Sequence, residues 1–294
     1  MLDTQDGTSP EPVLFVPGMM CDFRLFAPQM QSLAAQRPVQ FAPISGASTM
    51  SRLAARIAAS APPRFALVGY SMGGMVAMEL ARIMPERISR LCLMNTSPLG
   101  ESAAQAAFRE PQMIAARHGR LEEMLRDVMR LDYLAPGPGR LAMQAAFVQM
   151  GMDLGPAVFV RQSRALQRRR DQQMTLRHLQ MPVLVMVGAH DRMTPVRRHE
   201  LMATLIPGAQ LQVIADAGHN LSDVLALLLA WGASAAAKRP ATQRFTYGFK
   251  PSTILAALAK HSLHAKHIIG HSWLITIAKS LVAAVDIKSR TTNV

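Results

Sequence analysis

The sequence predicts an α/β fold in which helices flank a mostly parallel central sheet. Apolar runs at residues 13–16, 65–68, 91–94, 183–188 and 211–214 have the length and composition of buried strands. Each run is followed by a polar or glycine-containing loop, and helix-forming residues follow some of these loops, as in parallel strand–helix units. The chain has 294 residues, half of them hydrophobic, which suffices for one large core and an insertion.

Four segments organise the chain. Residues 1–96 and 181–237 carry the strand patterns and form the two parts of the predicted α/β core. Residues 97–180 form a predicted helical cap, because residues 122–131 and 140–150 have apolar residues at helical spacing and a Pro-Gly-Pro-Gly run separates them. The remaining segment, residues 238–294, is an atypical basic tail.

A glycine-flanked serine lies between a strand pattern and a helix pattern. Ser71 occupies the middle of a Gly-x-Ser-x-Gly motif between the apolar run 65–68 and the helix-forming run 75–81. A serine at so tight a corner leaves no room for a Cβ two residues away, which explains Gly69 and Gly73. The corner exposes the hydroxyl at a helix N-terminus, where developing negative charge is favoured, so Ser71 is a candidate nucleophile.

An acid and a base follow Ser71 at suitable places. Asp191 comes just after the buried strand pattern 183–188, and His219 comes in the loop after the strand pattern 211–214. Functional side chains of open α/β sheets gather at these carboxyl ends of strands. A serine needs a base to take its proton and a third group to orient that base, so His219 is the predicted base and Asp191 the predicted orienting acid.

The order Ser71, Asp191, His219 resembles that of the α/β-hydrolase superfamily, with which the chain shares motifs over residues 12–235. Within it the chain is similar to carboxylesterases and to acyl-carrier-protein methyl ester esterases with a small helical cap. The resemblance implies an oxyanion hole formed by two backbone N–H groups, those of Met72 and Met19. This chain has Pro17 where many relatives have a histidine before the loop glycine.

Other polar residues near the strand ends are weaker candidates. Asn95 follows the strand pattern 91–94, where some members of the superfamily place the acid, but an amide cannot stabilise an imidazolium as a carboxylate does. Asp216 and Asp223 flank His219 and are expected to point outward. Four further histidines are expected to be loop or surface residues: His118, His178, His190 and His199.

The sequence predicts chemistry without a metal or a cofactor. It contains no Cys-x-x-Cys pair, no His-Glu-x-x-His motif and no cluster of carboxylates. Cys21 and Cys92 are the two cysteines, which is too few for a disulfide framework. These cysteines and a polar, acidic start without a secretory pattern favour a cytoplasmic protein.

The net charge of +13 is concentrated in the tail. All six lysines lie at or after residue 238, whereas residues 1–237 contain arginine but no lysine. This change in the use of the two basic residues suggests a different origin for the tail. Residues 268–287 are mostly apolar with basic flanks, but Lys279 and Asp286 would be costly inside a bilayer. Weak contact with a membrane surface and an appendage without function remain the two interpretations. No aromatic-interleaved basic patch indicates nucleic-acid binding.

The last part of the predicted cap is rich in arginine. Two interpretations remain open, a solvated helix face and a site for a carboxylated substrate or an acidic carrier protein. The arginines concerned are Arg161, Arg164, Arg168, Arg169, Arg170 and Arg177.

Together these features predict a serine hydrolase that cleaves a small carboxylic ester through an acyl-enzyme. The same three side chains would serve a lactonase, a thioesterase, a carbon–carbon bond hydrolase, an acyltransferase or a cofactor-free haloperoxidase. A ligand receptor with weak or no turnover is the alternative from another class. The sequence does not indicate an oligomeric state.

Overall fold

The structure, a computed structural model, describes residues 10–215 and His219. The chain divides into two units, residues 1–225 and 226–294, and every described residue belongs to the first. The sequence also predicts a helix from Val224 to Trp231. This helix, Asp216, Asp223 and the tail lie outside the described residues. Within the described range, no helix is long and apolar enough to cross a membrane.

Six strands of the described segment form one parallel sheet. They are β1 (Val13–Val16), β2 (Val39–Phe41), β3 (Phe65–Tyr70), β4 (Ile88–Met94), β5 (Val183–Gly188) and β6 (Gln210–Ile214). The order across the sheet is β2-β1-β3-β4-β5-β6. The register places Val68 of β3 opposite Phe15 of β1 and Cys92 of β4.

Strand burial follows position in the sheet. Every residue of β1, β3 and β5 is buried, whereas β2 and β6 at the two edges are partly exposed. Strands covered on both faces need continuous apolar runs, which is why these segments were recognisable in the sequence. The predicted α/β class with a parallel sheet and flanking helices is confirmed.

Three helices lie between the first four strands: α1 (Ala27–Ala34), α2 (Met50–Ser60) and α3 (Met72–Ile83). α2 begins where the Thr49 side chain accepts a hydrogen bond from the Arg52 N–H. Its buried residues are Met50, Leu53, Ala54 and Ile57, which share one face.

The insertion between β4 and β5 is helical, as the sequence predicts. It contains α4 (Ala103–Ala115), α5 (Leu121–Val128), α6 (Arg140–Leu154), α7 (Pro156–Gln167) and α8 (Gln173–Arg177). The predicted helix 122–131 ends earlier, because Met129 leaves the helical conformation. The predicted helix 140–150 runs on to Leu154, where Gly155 with a φ of 80° ends it.

The two ends of this helical cap are joined to each other. The Gln172 N–H donates to the Pro98 carbonyl oxygen at 2.8 Å, and Arg169 Nε donates to the Leu99 carbonyl oxygen at 2.9 Å. Arg169 also pairs with the buried carboxylate of Glu101 at 2.8 Å. The chain therefore leaves the sheet and returns to it at neighbouring points.

After the cap, β5 leads through a loop into α9 (Val196–Leu205). His199 and Met202, three residues apart, are the buried residues of this helix. α9 thereby covers the part of the sheet that contains β5 and β6.

Candidate active site

Ser71 forms the corner between β3 and α3. Its backbone has φ 51° and ψ −117°, a conformation that is strained for a residue with a side chain. Two hydrogen bonds hold the corner: the Ser71 N–H donates to the Met94 carbonyl at 2.9 Å, and the Thr96 hydroxyl donates to the Ser71 carbonyl at 2.7 Å. Ser71 is partly exposed.

The two motif glycines are required by close packing. A Cβ on Gly69 would lie 2.6 Å from the Gly73 carbonyl oxygen. A Cβ on Gly73 would overlap the carbonyl oxygens of Val16 and Pro17. The first turn of α3 therefore lies directly against the end of β1, with no space for a side chain.

Asp191 and His219 are in direct contact. His219 Nδ1 lies 2.8 Å from Asp191 Oδ2, and both side chains are almost completely buried. The backbone N–H of His219 donates to the Tyr133 carbonyl oxygen at 2.8 Å, and this bond joins His219 to the cap. The Tyr70 ring, next to Ser71 in the motif, packs against the imidazole with a centroid distance of 5.3 Å.

The Asp191 carboxylate is saturated with donors. Oδ1 accepts from the N–H groups of Met193 and Thr194 at 2.8 and 2.9 Å, and Oδ2 accepts from the Thr194 hydroxyl at 2.6 Å and from Asn95 Nδ2 at 2.7 Å. Burial, the largest single influence, raises the pKa of Asp191, but His219 and the Thr194 hydrogen bonds outweigh it and hold the pKa below its usual range. Asp191 is therefore ionised and orients the imidazole through Nδ1.

A tight turn after β1 lies beside the serine corner. The Cys21 N–H donates to the Gly18 carbonyl oxygen at 3.2 Å, which closes a turn over four residues. A Cβ on Gly18 would lie 3.0 Å from the Tyr70 ring and 3.4 Å from Ser71 Cβ. Met19, the second residue of this turn, therefore lies in a segment packed against Ser71.

Met72 is the first residue of α3. The backbone N–H groups of a first helical turn have no carbonyl partner within the helix. The N–H of Met72 is thus available at the positive end of the helix dipole, directly after Ser71 in the chain.

Asn95 is a hydrogen-bond partner of Asp191. It follows β4 with a φ of 45°, and its amide donates to Asp191. Three other histidines are exposed, in agreement with the sequence prediction: His118, His178 and His190.

The prediction that His199 lies at the surface is wrong. His199 is fully buried, its Nε2 accepts a hydrogen bond from the Thr96 N–H at 3.0 Å, and its Nδ1 lies 3.3 Å from the Pro195 carbonyl oxygen. Burial is the main cause that lowers the pKa of His199 to about 4, so the ring is neutral at pH 7. The charged neighbours in the sequence point outward, while His199 occupies the inward face of α9.

Both cysteines are buried free thiols. Burial raises the pKa of the Cys92 thiol to about 12, and burial followed by the nearby Asp22 raises that of Cys21 above its usual range. A thiol that stays protonated is a poor nucleophile, so neither cysteine competes with Ser71.

The cap arginines divide into two groups. Arg161 donates to the Ser45 carbonyl oxygen, Arg164 pairs with Glu110, and Arg169 is held at the cap ends as described above. These three serve the attachment and internal packing of the cap. The other three are exposed: Arg168, Arg170 and Arg177.

A cavity of about 350 Å³ lies beside Asp191. Cap residues and the loop after β5 line it together, among them Leu134, Arg140, His190 and Arg192. Among residues 10–215 and His219, no group of three His, Cys, Asp or Glu side chains is arranged to hold a metal ion.

Sequence reasoning missed the residues around the acid. Thr194, three positions after Asp191, gives a recognisable signal, since a carboxylate at the start of a turn often accepts the N–H groups that follow it. The role of Thr96, whose hydroxyl and N–H contact Ser71 and His199, had no local signal because both partners are distant in the sequence.

A model of the alpha/beta hydrolase fold matches residues 53–224. A second model, of a cation efflux transmembrane domain, matches residues 200–264, most of which lie outside the described residues. The described part of that match consists of His219 and of residues 200–215, which contribute to α9 and to β6 of the parallel sheet.

Curated proteins and solved structures also resemble the chain. A pimeloyl-[acyl-carrier protein] methyl ester esterase of Salmonella agona is 26% identical over 179 residues, which is 59% of this chain and 70% of the relative. A thermophilic esterase from Thermogutta terrifontis has a TM-score of 0.67 at 24% identity, covering 77% of this chain and 90% of the other. The enol-lactonase from Burkholderia xenovorans LB400 has a TM-score of 0.64 at 20% identity, covering 78% and 90%.

Proposed function

Because the chain belongs to the alpha/beta hydrolase fold family, we propose that it is a serine hydrolase that cleaves a small carboxylic ester through an acyl-enzyme. The observation that carries the proposal is the buried pair of Asp191 Oδ2 and His219 Nδ1, 2.8 Å apart; its imidazole packs against the ring of Tyr70, the residue before Ser71. An ionised carboxylate on Nδ1 fixes the tautomer in which Nε2 is free to accept a proton.

In the first half of the reaction, Ser71 Oγ attacks the ester carbonyl carbon. The hydroxyl proton passes to His219 Nε2 as the oxygen–carbon bond forms. The negative charge of the tetrahedral intermediate rests on the former carbonyl oxygen, which the N–H groups of Met72 and Met19 stabilise. The intermediate then expels the alcohol, which takes the proton from His219 and leaves the acyl group on Ser71.

In the second half, water replaces the alcohol. His219 removes a proton from water as the water oxygen attacks the acyl carbon. The second tetrahedral intermediate breaks the bond to Ser71 Oγ, and the proton on His219 returns to that oxygen. The products are the free carboxylic acid and the unmodified enzyme.

The Salmonella relative supports methyl esters of longer acyl chains as the first substrates to test, since its name describes a methyl ester carried by an acyl-carrier protein. The cap contacts the proposed base directly, because the carbonyl oxygen of Tyr133 in the cap accepts from the backbone N–H of His219. We propose a small-molecule ester as the substrate. The two free thiols fit the cytoplasmic location that we also propose.

A reactive-serine probe tests the proposal. A fluorophosphonate should label the wild-type protein at Ser71, with fluoride leaving as the oxygen–phosphorus bond forms, and Ser71→Ala should not be labelled. A series of methyl and p-nitrophenyl esters of increasing acyl length should show a defined optimum that Ser71→Ala abolishes. A folded wild-type protein that neither reacts with the probe nor hydrolyses any ester of the series would instead favour a ligand receptor.

A further inference from the structure

Gln162 connects the cap to the turn beside Ser71. It lies on α7 with 1% of its surface exposed. Its Oε1 accepts from the Met20 N–H at 2.8 Å, and its Nε2 donates to the Ile44 carbonyl oxygen at 3.1 Å. Both groups belong to loops that follow strands, Met20 after β1 and Ile44 after β2, so one buried amide bridges two loops of the core.

The partners fix the orientation of this amide. An N–H can only donate and a carbonyl oxygen can only accept, so Oε1 must face Met20 and Nε2 must face Ile44. A buried amide with both ends engaged is strongly held, because breaking either bond would leave a polar group without a partner away from water.

The bond to Met20 stabilises an unfavourable backbone conformation. Met20 has a φ of 53°, in the left-handed region, and is the third residue of the turn that the Cys21 N–H and the Gly18 carbonyl close. Met19 is not among the residues with positive φ, so the turn is of type II, which favours glycine at its third position. A methionine there needs an external contact to hold it.

The alternative is a type I turn, in which the peptide between Met19 and Met20 is turned over. The two forms differ by a rotation of about 150° at the second residue. The N–H and carbonyl of a trans peptide point in opposite directions, so this rotation would replace the Met20 N–H facing Gln162 with the Met19 carbonyl oxygen. At present that oxygen accepts from Cys21 Sγ at 3.4 Å.

We infer that Gln162 is a positioning residue that sets the orientation of the Met19–Met20 peptide in the turn from Gly18 to Cys21. Through this residue the cap controls the site where negative charge develops. The inference rests on the proposed function, in which the Met19 N–H stabilises the oxyanion. If the peptide turned over, its carbonyl oxygen would face Gln162 Oε1, the turn would lose this anchor, and the adjacent Met19 N–H would no longer be held towards the developing charge.

The effect should appear in kcat rather than in KM. The oxyanion exists in the transition state and not in the bound ester, so a misoriented turn weakens stabilisation of the transition state alone. Loss of one oxyanion donor costs about 100- to 1,000-fold in kcat, and a turn that keeps the correct form part of the time should lose about 10- to 100-fold.

Three variants of Gln162 and one neighbour test this. Gln162→Met keeps the length of the side chain but loses both hydrogen bonds. Gln162→Asn keeps an amide, but its side chain is too short to reach both loops. Each variant should lower kcat about 10- to 100-fold and leave KM within about threefold of the wild-type value. Gln162→Glu keeps an oxygen acceptor for the Met20 N–H, and its protonated carboxyl can donate to the Ile44 carbonyl oxygen, so this variant should retain at least a third of kcat at pH values where the buried carboxyl is protonated. Arg161→Met is the matched control, since Arg161 binds the Ser45 carbonyl of the same loop as Ile44 but not the turn.

The measurements are kcat and KM for the best ester, the rate of fluorophosphonate labelling, and thermal unfolding of each variant. Labelling should slow in parallel with kcat, because negative charge also develops on the phosphoryl oxygen in the transition state of the reaction with the probe. Gln162→Asn keeps the test valid if Gln162→Met does not fold. A crystal structure of the slow variant should contain the Met19–Met20 peptide in the turned-over orientation.

Several results would overturn the inference. Either folded variant, Gln162→Met or Gln162→Asn, with kcat within threefold of wild type would refute it, as would an equal loss in Arg161→Met or in Gln162→Glu. Failure of the proposed function is distinguishable, since the wild-type protein itself would then show no labelling of Ser71 and no hydrolysis, and the inference would fall with it.

Discussion

Glu79 offers a quantitative test of how the serine-bearing helix is anchored. It lies on α3 with its side chain completely buried, and its carboxylate accepts from Ser51 Oγ at 2.6 Å, Gln172 Nε2 at 2.7 Å and Arg82 Nη2 at 2.9 Å. Burial, the largest influence, raises the pKa of Glu79, but these donors outweigh it and lower the pKa from 4.5 to about 2. One carboxylate thus joins α3 to α2 and to the returning end of the cap.

The shift gives a magnitude for Glu79→Gln. A difference of about 2.5 pKa units between the unfolded and folded states corresponds to about 3 kcal/mol of stability. Since the folded-state pKa is the lower one, this stability is fully present above about pH 4.5 and is lost as the pH falls towards 2. Glu79→Gln should therefore lower the free energy of unfolding by about 3 kcal/mol at pH 7 and the melting temperature by about 6–12 °C.

Urea unfolding of wild type and variant at pH 7 and pH 4 checks the prediction. The difference in unfolding free energy should be smaller by about 1 kcal/mol at pH 4, because part of the ionisation advantage has already been lost there. Glu86→Gln removes an exposed carboxylate of the same chemistry and should change stability by less than about 0.5 kcal/mol. A Glu79→Gln penalty below 1 kcal/mol at pH 7, or one that grows on acidification, would refute this reasoning.

Two further predictions concern the candidate site. Asp191→Asn should lower kcat by about 10⁴-fold, because an amide no longer fixes the tautomer of His219; a loss below tenfold in steady-state ester hydrolysis would argue against this role. It should also lower the unfolding temperature, because the buried carboxylate accepts four hydrogen bonds and an amide has one acceptor oxygen, so kcat is compared at a temperature at which the variant is folded. Gly73→Ala should prevent formation of the corner, since its methyl group would overlap the Val16 carbonyl oxygen, whereas Gly100→Ala meets its nearest atom at 3.4 Å and should be neutral. Circular dichroism and probe labelling of both glycine variants distinguish these outcomes, and an active Gly73→Ala would contradict the packing argument.

The sequence was informative where the physical requirement is local. The runs that became β1, β3 and β5 are buried on both faces, so their composition alone reveals them. The corner at Ser71 was recognisable because the glycines it needs are two residues away on either side.

The sequence was uninformative where a contact joins distant segments. Gln162 and Met20 are 142 positions apart, and no pattern in α7 marks a buried polar side chain as the partner of a turn. His199 was misjudged because Arg197, Arg198 and Glu200 made its surroundings look exposed, although the spacing of His199 and Met202 identifies an inward helix face. Boundaries of the segments at 96/97, 180/181 and 237/238 remain predictions.

The hydrogen bond between Gln172 and Pro98 brings the two ends of the insertion together. An insert whose two termini meet can be exchanged without moving the strands on either side, much as a loop is replaced in a hairpin. A shorter or differently shaped helical insert between residues 98 and 172 would preserve the strand order while changing which molecules gain entry, but it would have to reproduce the contacts of Gln162 with Met20 and of Tyr133 with His219. Diversification of selectivity on this scaffold therefore requires changes to one contiguous stretch of the gene.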